Sequence, residues 1–353
     1  MPKIKFYEGS YKDSDNLISQ IFSDFPFDFK NKKVFIKPNL LSAHPPEKGV
    51  TTHPTIVKSI CQYLLDKGAI IKVGDNPSLL SSDAFERIGK ITQIKEVSFG
   101  FYTDISKNYK KIKTRIGELS ISADILDCDI LISVPKLKTH ILTIFTLAIK
   151  NMFGIIVGNQ KSQIHYQYPS PIDFSEALID IYEIRKPDLT IVDGILAMEG
   201  NGPSQGNLRE LNILVAGDNG YLLEWAIIGY LLNKNPLSIP YINIAKRKNL
   251  FNENDLVIEG NYNKVKDFKI PSQRIYYILN NILGKNLIKI IYHPFRYQRI
   301  KIDKDLCKLC LECVKICPNK ALKLEDKKIK YNKSLCISCF CCYEACPYSA
   351  IKI

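Results

Sequence analysis

One cysteine spacing occurs twice in the last 53 residues of this 353-residue chain, and it restricts the C-terminal end more than any other feature. The first copy, CKLCLECVKICP, runs through Cys307, Cys310, Cys313 and Cys317 to Pro318. The second, CISCFCCYEACP, runs through Cys336, Cys339, Cys342 and Cys346 to Pro347. Three closely spaced thiolates take three irons of a cubane cluster, and the fourth cysteine of each run reaches across to the other cluster. This assigns one 4Fe-4S cluster to Cys307, Cys310, Cys313 and Cys346, and a second to Cys336, Cys339, Cys342 and Cys317. The proline after each ladder turns the chain away, since its ring cannot continue a helix. Structural zinc prefers two separated pairs in a tetrahedral set, and disulfides need an oxidising compartment. The ladder fits iron better than either.

The two ladders form an internal repeat at an offset of 29 residues, with Lys304, Leu306, Pro318 and Ala321 matched by Lys333, Leu335, Pro347 and Ala350. Residues 301–353 resemble a bacterial two-cluster ferredoxin, which implies a small α+β domain built from two strand–helix–strand halves. Cys341 is left over and reads as a small apolar filler. Cys61 and Cys128 sit alone in apolar runs and read as core.

The remaining length suffices for one large domain. Hydrophobic content of 46% and charged content of 24% are ordinary for a globular protein. The start, MPKIKFYEGSYKD, lacks an apolar signal core, and no run of ~18 apolar residues marks a membrane span. A cytoplasmic protein is expected, and exposed clusters would suit an anaerobic host. The formal charge of +13 falls to about +9 once two clusters contribute −2 each, 13 − 4. That excess favours anionic partners. Nucleic acid is not expected, because the lysines are scattered and no binding motif is recognised. Residues 268–302 contain no Asp or Glu. There Ile275, Ile278, Leu279, Ile282 and Leu283 fall on one helical face, with Asn280, Asn281 and Lys285 on another. A basic amphipathic connector packed between domains is preferred to peripheral membrane contact. The expected organisation is an α/β domain over 1–267, a connector over 268–300 and the cluster domain over 301–353.

Five short apolar runs, 32–39, 69–77, 129–140, 188–194 and 211–219, each end in polar or charged residues. Runs of this length, rich in Ile and Val, suit strands buried on both faces. Helical stretches lie between several of them, at 55–67, 171–185 and 221–233. Alternating strands and helices argue for an α/β fold with a largely parallel sheet and helices on both faces. Ligands bind beyond the carboxyl ends of such strands. The sequence puts Lys37, Asn39, Asp75, Asn76, Lys136, Lys138, His140, Asp193 and Asp218 there, as a shared pocket.

Several words in this region, KPNLL (37–41), TTHP (51–54), VPKLKTH (134–140), TLAIKNMFG (146–154), the pair Lys161 and His165, and VDGILAMEGNGPSQG (192–206), resemble the domain of unknown function 362 family. The resemblance covers roughly residues 30–260. It implies an architecture and a pocket, often alongside ferredoxin modules, and attaches no reaction. A fainter likeness is to the nickel-dependent lactate racemase fold, and fold analogy assigns no chemistry. The family's Ser-x-Asp-x-Val-Ala-x-Asp pattern is altered here, where Ala216, Asp218 and Glu224 stand in that region.

Lys136, Lys138, His140 and Asp193 are the candidate catalytic residues. Lys37, Asn39, Asp75, Lys150, Lys161 and His165 are the candidate substrate-binding residues. Ammonium groups beside neutral imidazole hold a carboxylate or phosphate, and crowded cations lower a lysine pKa toward neutrality. Strand alternation places Lys136 and Lys138 on one face, with His140 expected to turn away. Asp75, Asp193, Glu199 and Asp218 are expected to counter these lysines in preference to holding a divalent metal. Gly154-x3-Gly158-x2-Lys161 departs from a phosphate loop. Gly200, Gly202 and Gly206 depart from the dinucleotide fingerprint and read as a flexible turn lining the pocket. NAD is not indicated, whereas flavin or another second cofactor is left open. The leading expectation is an iron–sulfur oxidoreductase, fed by a redox partner protein and acting on an anionic small molecule. The alternatives are a non-enzymatic electron carrier or docking protein, and a non-redox enzyme with structural or oxygen-sensing clusters.

Overall fold

The computed structural model describes residues 1–77, 82–271 and 300–353. The strands of the large domain are β1 (Lys3–Glu8), β2 (Lys33–Pro38), β3 (Ile70–Val73), β4 (Tyr109–Thr114), β5 (Gly117–Ser122) and β6 (Ile130–Val134). They continue with β7 (Lys136–His140), β8 (Ile144–Thr146), β9 (Leu189–Glu199), β10 (Asn207–Glu210), β11 (Ile213–Gly217) and β12 (Val257–Glu259). Apart from the β4–β5 hairpin they form one ten-stranded sheet. Its spine runs β12-β1-β11-β9-β6-β2-β3, with β10 on β9 and β7 joining β9 to β8. Along this spine only β11 runs against the other strands, so the domain is α/β with a mixed, mostly parallel sheet.

The apolar run at 129–140 makes two strands where one was expected. Pro135 has no N–H to donate, and the ladder changes partner there. β6 lies between β2 and β9, while β7 pairs with β9 and β8. Alternation along the strands supplies a core on each face of the sheet. Phe6, Phe35, Leu131, Val192 and Val215 pack with the helices Pro171–Ile184, Gly220–Ala226 and Pro240–Arg247. Val34, Ile36, Ile132, Ile191 and Leu214 pack with the helices Ser14–Asp24 and Pro54–Asp66.

The helix starts follow local chemistry. Pro54 and Pro171 occupy first-turn positions where a missing N–H costs nothing. His53 Nδ1 accepts from Thr55 N at 3.3 Å, and Ser170 Oγ accepts from Asp173 N at 3.1 Å. The helix expected at 221–233 is α only over Gly220–Ala226 and closes in a π turn over Ile227–Leu231.

The C-terminal module pairs β13 (Lys301–Ile302) with β16 (Ile351–Lys352), and β14 (Leu322–Glu325) with β15 (Lys328–Tyr331). Two short helices, Glu312–Ile316 and Cys341–Ala345, pack together. The sequence repeat is also a backbone repeat: left-handed φ values at Leu309 (52°), Leu311 (64°) and Lys320 (52°) return at Ser338 (53°), Phe340 (62°) and Ser349 (51°). Each such residue costs about 1–2 kcal/mol, so the same loop path is imposed twice against local preference. Ala321 N and Ala350 N donate to the Sγ atoms of Cys317 and Cys346 at 3.1 and 3.3 Å.

The module is packed onto the sheet domain. Ile316, Cys339, Cys341 and Ala345 join the core on the second face, and Phe340, Tyr343 and Cys346 pack with Ile141. Tyr343 Oη donates to the carbonyl of Asn201 at 2.6 Å, and Gln205 Nε2 to that of Ile351 at 2.7 Å. Arg87 Nη2 lies 3.3 Å from Glu312 Oε1. The glycine-rich stretch at 200–206, expected to be a flexible turn lining the pocket, runs beside Thr139 on β7 and also clasps the module through Asn201 and Gln205. The face of Ile275, Ile278, Leu279, Ile282 and Leu283 lies outside the described residues. Among the described residues no helix is long and apolar enough to cross a membrane.

Candidate functional site

The carboxyl end of β2 carries Lys37, that of β6 leads into Lys136 and Lys138 on β7, and the fold buries these lysines. Lys136 stands opposite Asp193 in the β7–β9 register, and neither side chain is exposed. Lys136 Nζ lies 2.9 Å from Asp193 Oδ2 and donates to Tyr11 Oη at 2.8 Å. Tyr11 Oη donates in turn to Asp193 Oδ1 at 3.0 Å, and His53 N donates to Asp193 Oδ2 at 2.9 Å. A second pair forms at the end of β2, where Lys37 Nζ meets Asp75 Oδ1 at 2.7 Å and Asn151 Oδ1 at 3.4 Å. Leu40 N and Asn76 N donate to the Asp75 carboxylate at 2.8 and 2.9 Å. Gly154 is pressed against this pair. A Cβ there would lie 2.6 Å from Lys37 Nζ and closer still to Asp75 Oδ1. Burial pushes both lysines below the ordinary value, and their carboxylate partners oppose the shift.

Three further lysines, Lys138, Lys150 and Lys161, gather beside the two pairs and with them make up a lysine chamber. Lys138 Nζ donates to the carbonyl of Val50 and Lys161 Nζ to that of Asn76, contacts that neutralise no charge. Burial brings each of them down to about 7. Lys150 is partly buried, with Nζ 4.7 Å from the ring centroid of Phe153 and 5.7 Å from that of Phe174. His165 stacks on Phe174 at 4.4 Å, and burial lowers it to about 3, so its imidazole is neutral. His140 Nδ1 accepts from Leu142 N at 3.1 Å, which leaves the proton on Nε2.

Among the described residues, Asp75 and one carboxylate of the C-terminal module face these groups. Glu344, on the helix Cys341–Ala345, is 4% exposed, with Oε1 3.0 Å from His140 Nε2. The two atoms are at ion-pair distance but are not aligned as a hydrogen bond. Burial alone would raise the Glu344 pKa; His140, Lys150 and His165 outweigh it and hold the group at about 2. Asn39 Oδ1, Thr146 Oγ1 and His165 Nδ1 are likewise buried without a hydrogen-bond partner. Such a cluster of unsatisfied polar atoms is uncommon in a finished core.

Several residues differ from expectation. His140 does not turn away, because β7 continues through it and positions i, i+2 and i+4 keep to one side. Asp218 is not in the pocket. The reversed β11 carries it to the opposite edge of the sheet, where it is exposed and Oδ1 accepts from Lys3 N at 3.1 Å. Glu199 pairs with Arg209 at 2.9 Å and not with the lysines. Glu224 is buried, accepts from Ile149 N at 2.8 Å and Tyr241 Oη at 2.6 Å, and is raised by burial to about 7. It anchors the segment next to Lys150. Cys128 is half-buried, not core, and its Sγ donates to Ile125 O at 3.2 Å. Tyr11, Asn151 and Glu344 carried no local signal in the sequence.

The eight ladder cysteines fall into two sets of four, each lining its own cavity. Cys307, Cys310, Cys313 and Cys346 surround one, and Cys317, Cys336, Cys339 and Cys342 the other. Among the described residues no three His, Cys, Asp or Glu side chains converge as a single-ion site. The thiols surround a space, as cubane ligation requires, so the residues present fit two clusters. Cys341 is buried among core residues beside them.

Comparison with known proteins places these features. A family profile described as "Domain of unknown function (DUF362)" matches residues 34–228, and one described as "4Fe-4S dicluster domain" matches residues 299–347. A thylakoid-associated protein of Synechocystis is 30% identical over 220 residues, 62% of this chain and 68% of that protein. The lactate racemase apoprotein from Thermoanaerobacterium thermosaccharolyticum superposes with a TM-score of 0.42 at 12% identity, over 62% of this chain and 54% of that one. A structural-genomics protein from Thermotoga maritima gives 0.40 at 15% identity, over 62% and 59%. This chain spans less than two thirds of either structure.

Two measurements probe the chamber. Gly154→Ala forces the Lys37–Asp75 pair apart and should destabilise the protein by about 3 kcal/mol, read as a lower denaturant midpoint at unchanged iron content. The second concerns pH. Lys138 releases its proton near 7 in the folded protein, against an ordinary value of 10.5 in the unfolded chain. Between these values the unfolded chain binds more protons, so stability should rise with pH across that window. Lys138→Met should flatten that rise in urea midpoints taken across the same range.

Proposed function

We propose, for a chain that belongs to the DUF362 family and carries an iron–sulfur module at its C-terminus, an oxidoreductase function in which a small anionic substrate is held in the lysine chamber and reduced there. One observation carries this reading. The helix Cys341–Ala345, which bears Cys342 and leads into Cys346, also puts Glu344 among Lys138, His140, Lys150 and His165. A mobile carrier domain has no need to extend a buried side chain into a neighbouring domain's basic site.

Two bound 4Fe-4S clusters would supply one-electron transfer. The chain's own residues supply the rest. Lys150, with Lys138 and Lys161, orients the anion. The module, clasped by Asn201 and Gln205, excludes water and strengthens each charge interaction. Lys138 and Lys161, poised near neutrality, hold protons that a reduced substrate takes up. The eight ladder cysteines would hold the two clusters that supply electrons, and Lys138 and Lys161 would supply the two protons that a two-electron acceptor needs. The donor is a redox partner protein. Exposed Lys320, Lys323, Lys330 and Lys333 line an open groove of about 490 Å³ that shares Ala321 and Tyr331 with the cavity of the second cysteine set. Its charge favours an acidic partner.

Anaerobically reconstituted protein should hold about eight irons and eight sulfides, and Cys317→Ser should impair the cluster on Cys336, Cys339 and Cys342. The functional test begins with stoichiometrically reduced clusters, to which small-molecule and protein fractions of cell extract are added anaerobically. Reoxidation should follow a small anion and slow at least about tenfold in Lys150→Ala with intact clusters, the loss of ~1.4 kcal/mol of binding. Reoxidation by protein fractions alone, equal in both forms, would establish a carrier instead.

A further inference from the structure

The chamber's charges do not balance, and the imbalance identifies what Glu344 is doing there. Lys37, Lys136, Lys138, Lys150 and Lys161 surround it with Asp75, Asp193 and Glu344, five cations to three carboxylates. Lys37 and Lys136 are matched by Asp75 and Asp193. Lys138, Lys150 and Lys161 make no ion pair among the described residues, and the remaining carboxylate, Glu344, belongs to the other domain.

We propose that Glu344 is a built-in stand-in for the chamber's ligand, its carboxylate filling the position of one anionic group of a compact, phosphoryl-bearing dianion that enters by displacing it. This rests on the reading of the chamber as an anion site. Three features point the same way. The Glu344–His140 contact is close, at 3.0 Å, yet unaligned, and neither Oε1 nor Nε2 completes a hydrogen bond. It is an electrostatic contact more than a fitted one. The nearby Nδ1 of His165 and Oγ1 of Thr146 are also unsatisfied, leaving donors and acceptors for further oxygens. Finally, Glu344 sets a single negative charge against Lys138, Lys150 and Lys161, two of which burial leaves poised near neutrality. A monocarboxylate would only repeat that balance, whereas a dianion sets two negative charges against the same lysines and favours their protonated forms.

Displacement also reaches the cysteines. Glu344 lies two residues from both Cys342 and Cys346, on a five-residue helix, so a ligand that pushes it aside also presses on a segment that carries ligands of both sets. Occupancy of the anion site is thereby coupled to the module's seating on the sheet domain.

The test uses anaerobic holoprotein: wild type, Glu344→Gln and Glu344→Asp, with iron content and melting recorded for each. Inorganic phosphate and malonate are the probes, titrated calorimetrically. Glu344→Gln should bind phosphate at least about tenfold more tightly than wild type, and Glu344→Asp should stay near wild type. Equal phosphate affinity in wild type and Glu344→Gln, at equal iron content, overturns the proposal. Malonate binding more tightly than phosphate to Glu344→Gln overturns the phosphoryl assignment. If Glu344→Gln folds poorly alone, phosphate that restores its melting supports displacement, and phosphate that fails to do so refutes it. The readout is equilibrium binding without electron flow, so the two readings fail separately. Tightened binding with no anion-dependent reoxidation removes the oxidoreductase and keeps the stand-in; anion-dependent reoxidation with unchanged affinity does the reverse.

Discussion

An ammonium group buried without compensation costs several kcal/mol, and the large domain of this protein buries several beyond the ends of one set of strands. That constraint orders much else. It explains why Lys136 sits in register with Asp193, why Tyr11 from the N-terminal segment reaches that carboxylate, and why His53 spends its backbone N–H on the same oxygen as Lys136. Lys37 and Asp75 obey the same rule on the neighbouring strands, with Asn151 bridging to Ser133 at 3.0 Å. Satisfied pairs of this kind add little net stability compared with apolar packing, but removing either partner is expensive. They hold a rigid rim around the unmatched Lys138, Lys150 and Lys161.

A rim of paired charges and an interior of unpaired ones is the arrangement on which the proposed anion site rests. Water alone would solvate the interior lysines if the chamber were open. The C-terminal module closes it, and the closing element brings one carboxylate. The same contact that shields the lysines therefore supplies part of their neutralisation, and the packing of the two domains, the cysteine sets and the proposed ligand site all meet at the helix Cys341–Ala345.

The sequence was legible where the physics is local. The cysteine spacing, the apolar runs of β2, β3, β6, β9 and β11, and the helical stretches at 55–67 and 171–185 depend on neighbours a few residues away, and the structure contains all of them. It was silent where the determining contact is distant. The reversal of β11 is a property of sheet order, and it moved Asp218 from the expected pocket to the far edge. Tyr11 meets Asp193 across 182 residues with nothing in its neighbourhood to announce it. Glu344 was hidden differently, inside a ladder whose every other feature speaks of iron.

The duplicated module has a geometric ambiguity of its own. Two halves with the same backbone path, down to matching left-handed residues 29 apart, offer two faces of similar shape to the sheet domain. Their helices are not equivalent in charge. The position that holds Glu344 in the second half is occupied by Lys315 in the first, where the side chain is 61% exposed. Rotated by half a turn, the module would press an ammonium group into a chamber already rich in them, and like charges at such range repel strongly when shielded from water. This reversal of charge, together with Tyr343 where the first half has Val314, gives the two halves an inside and an outside.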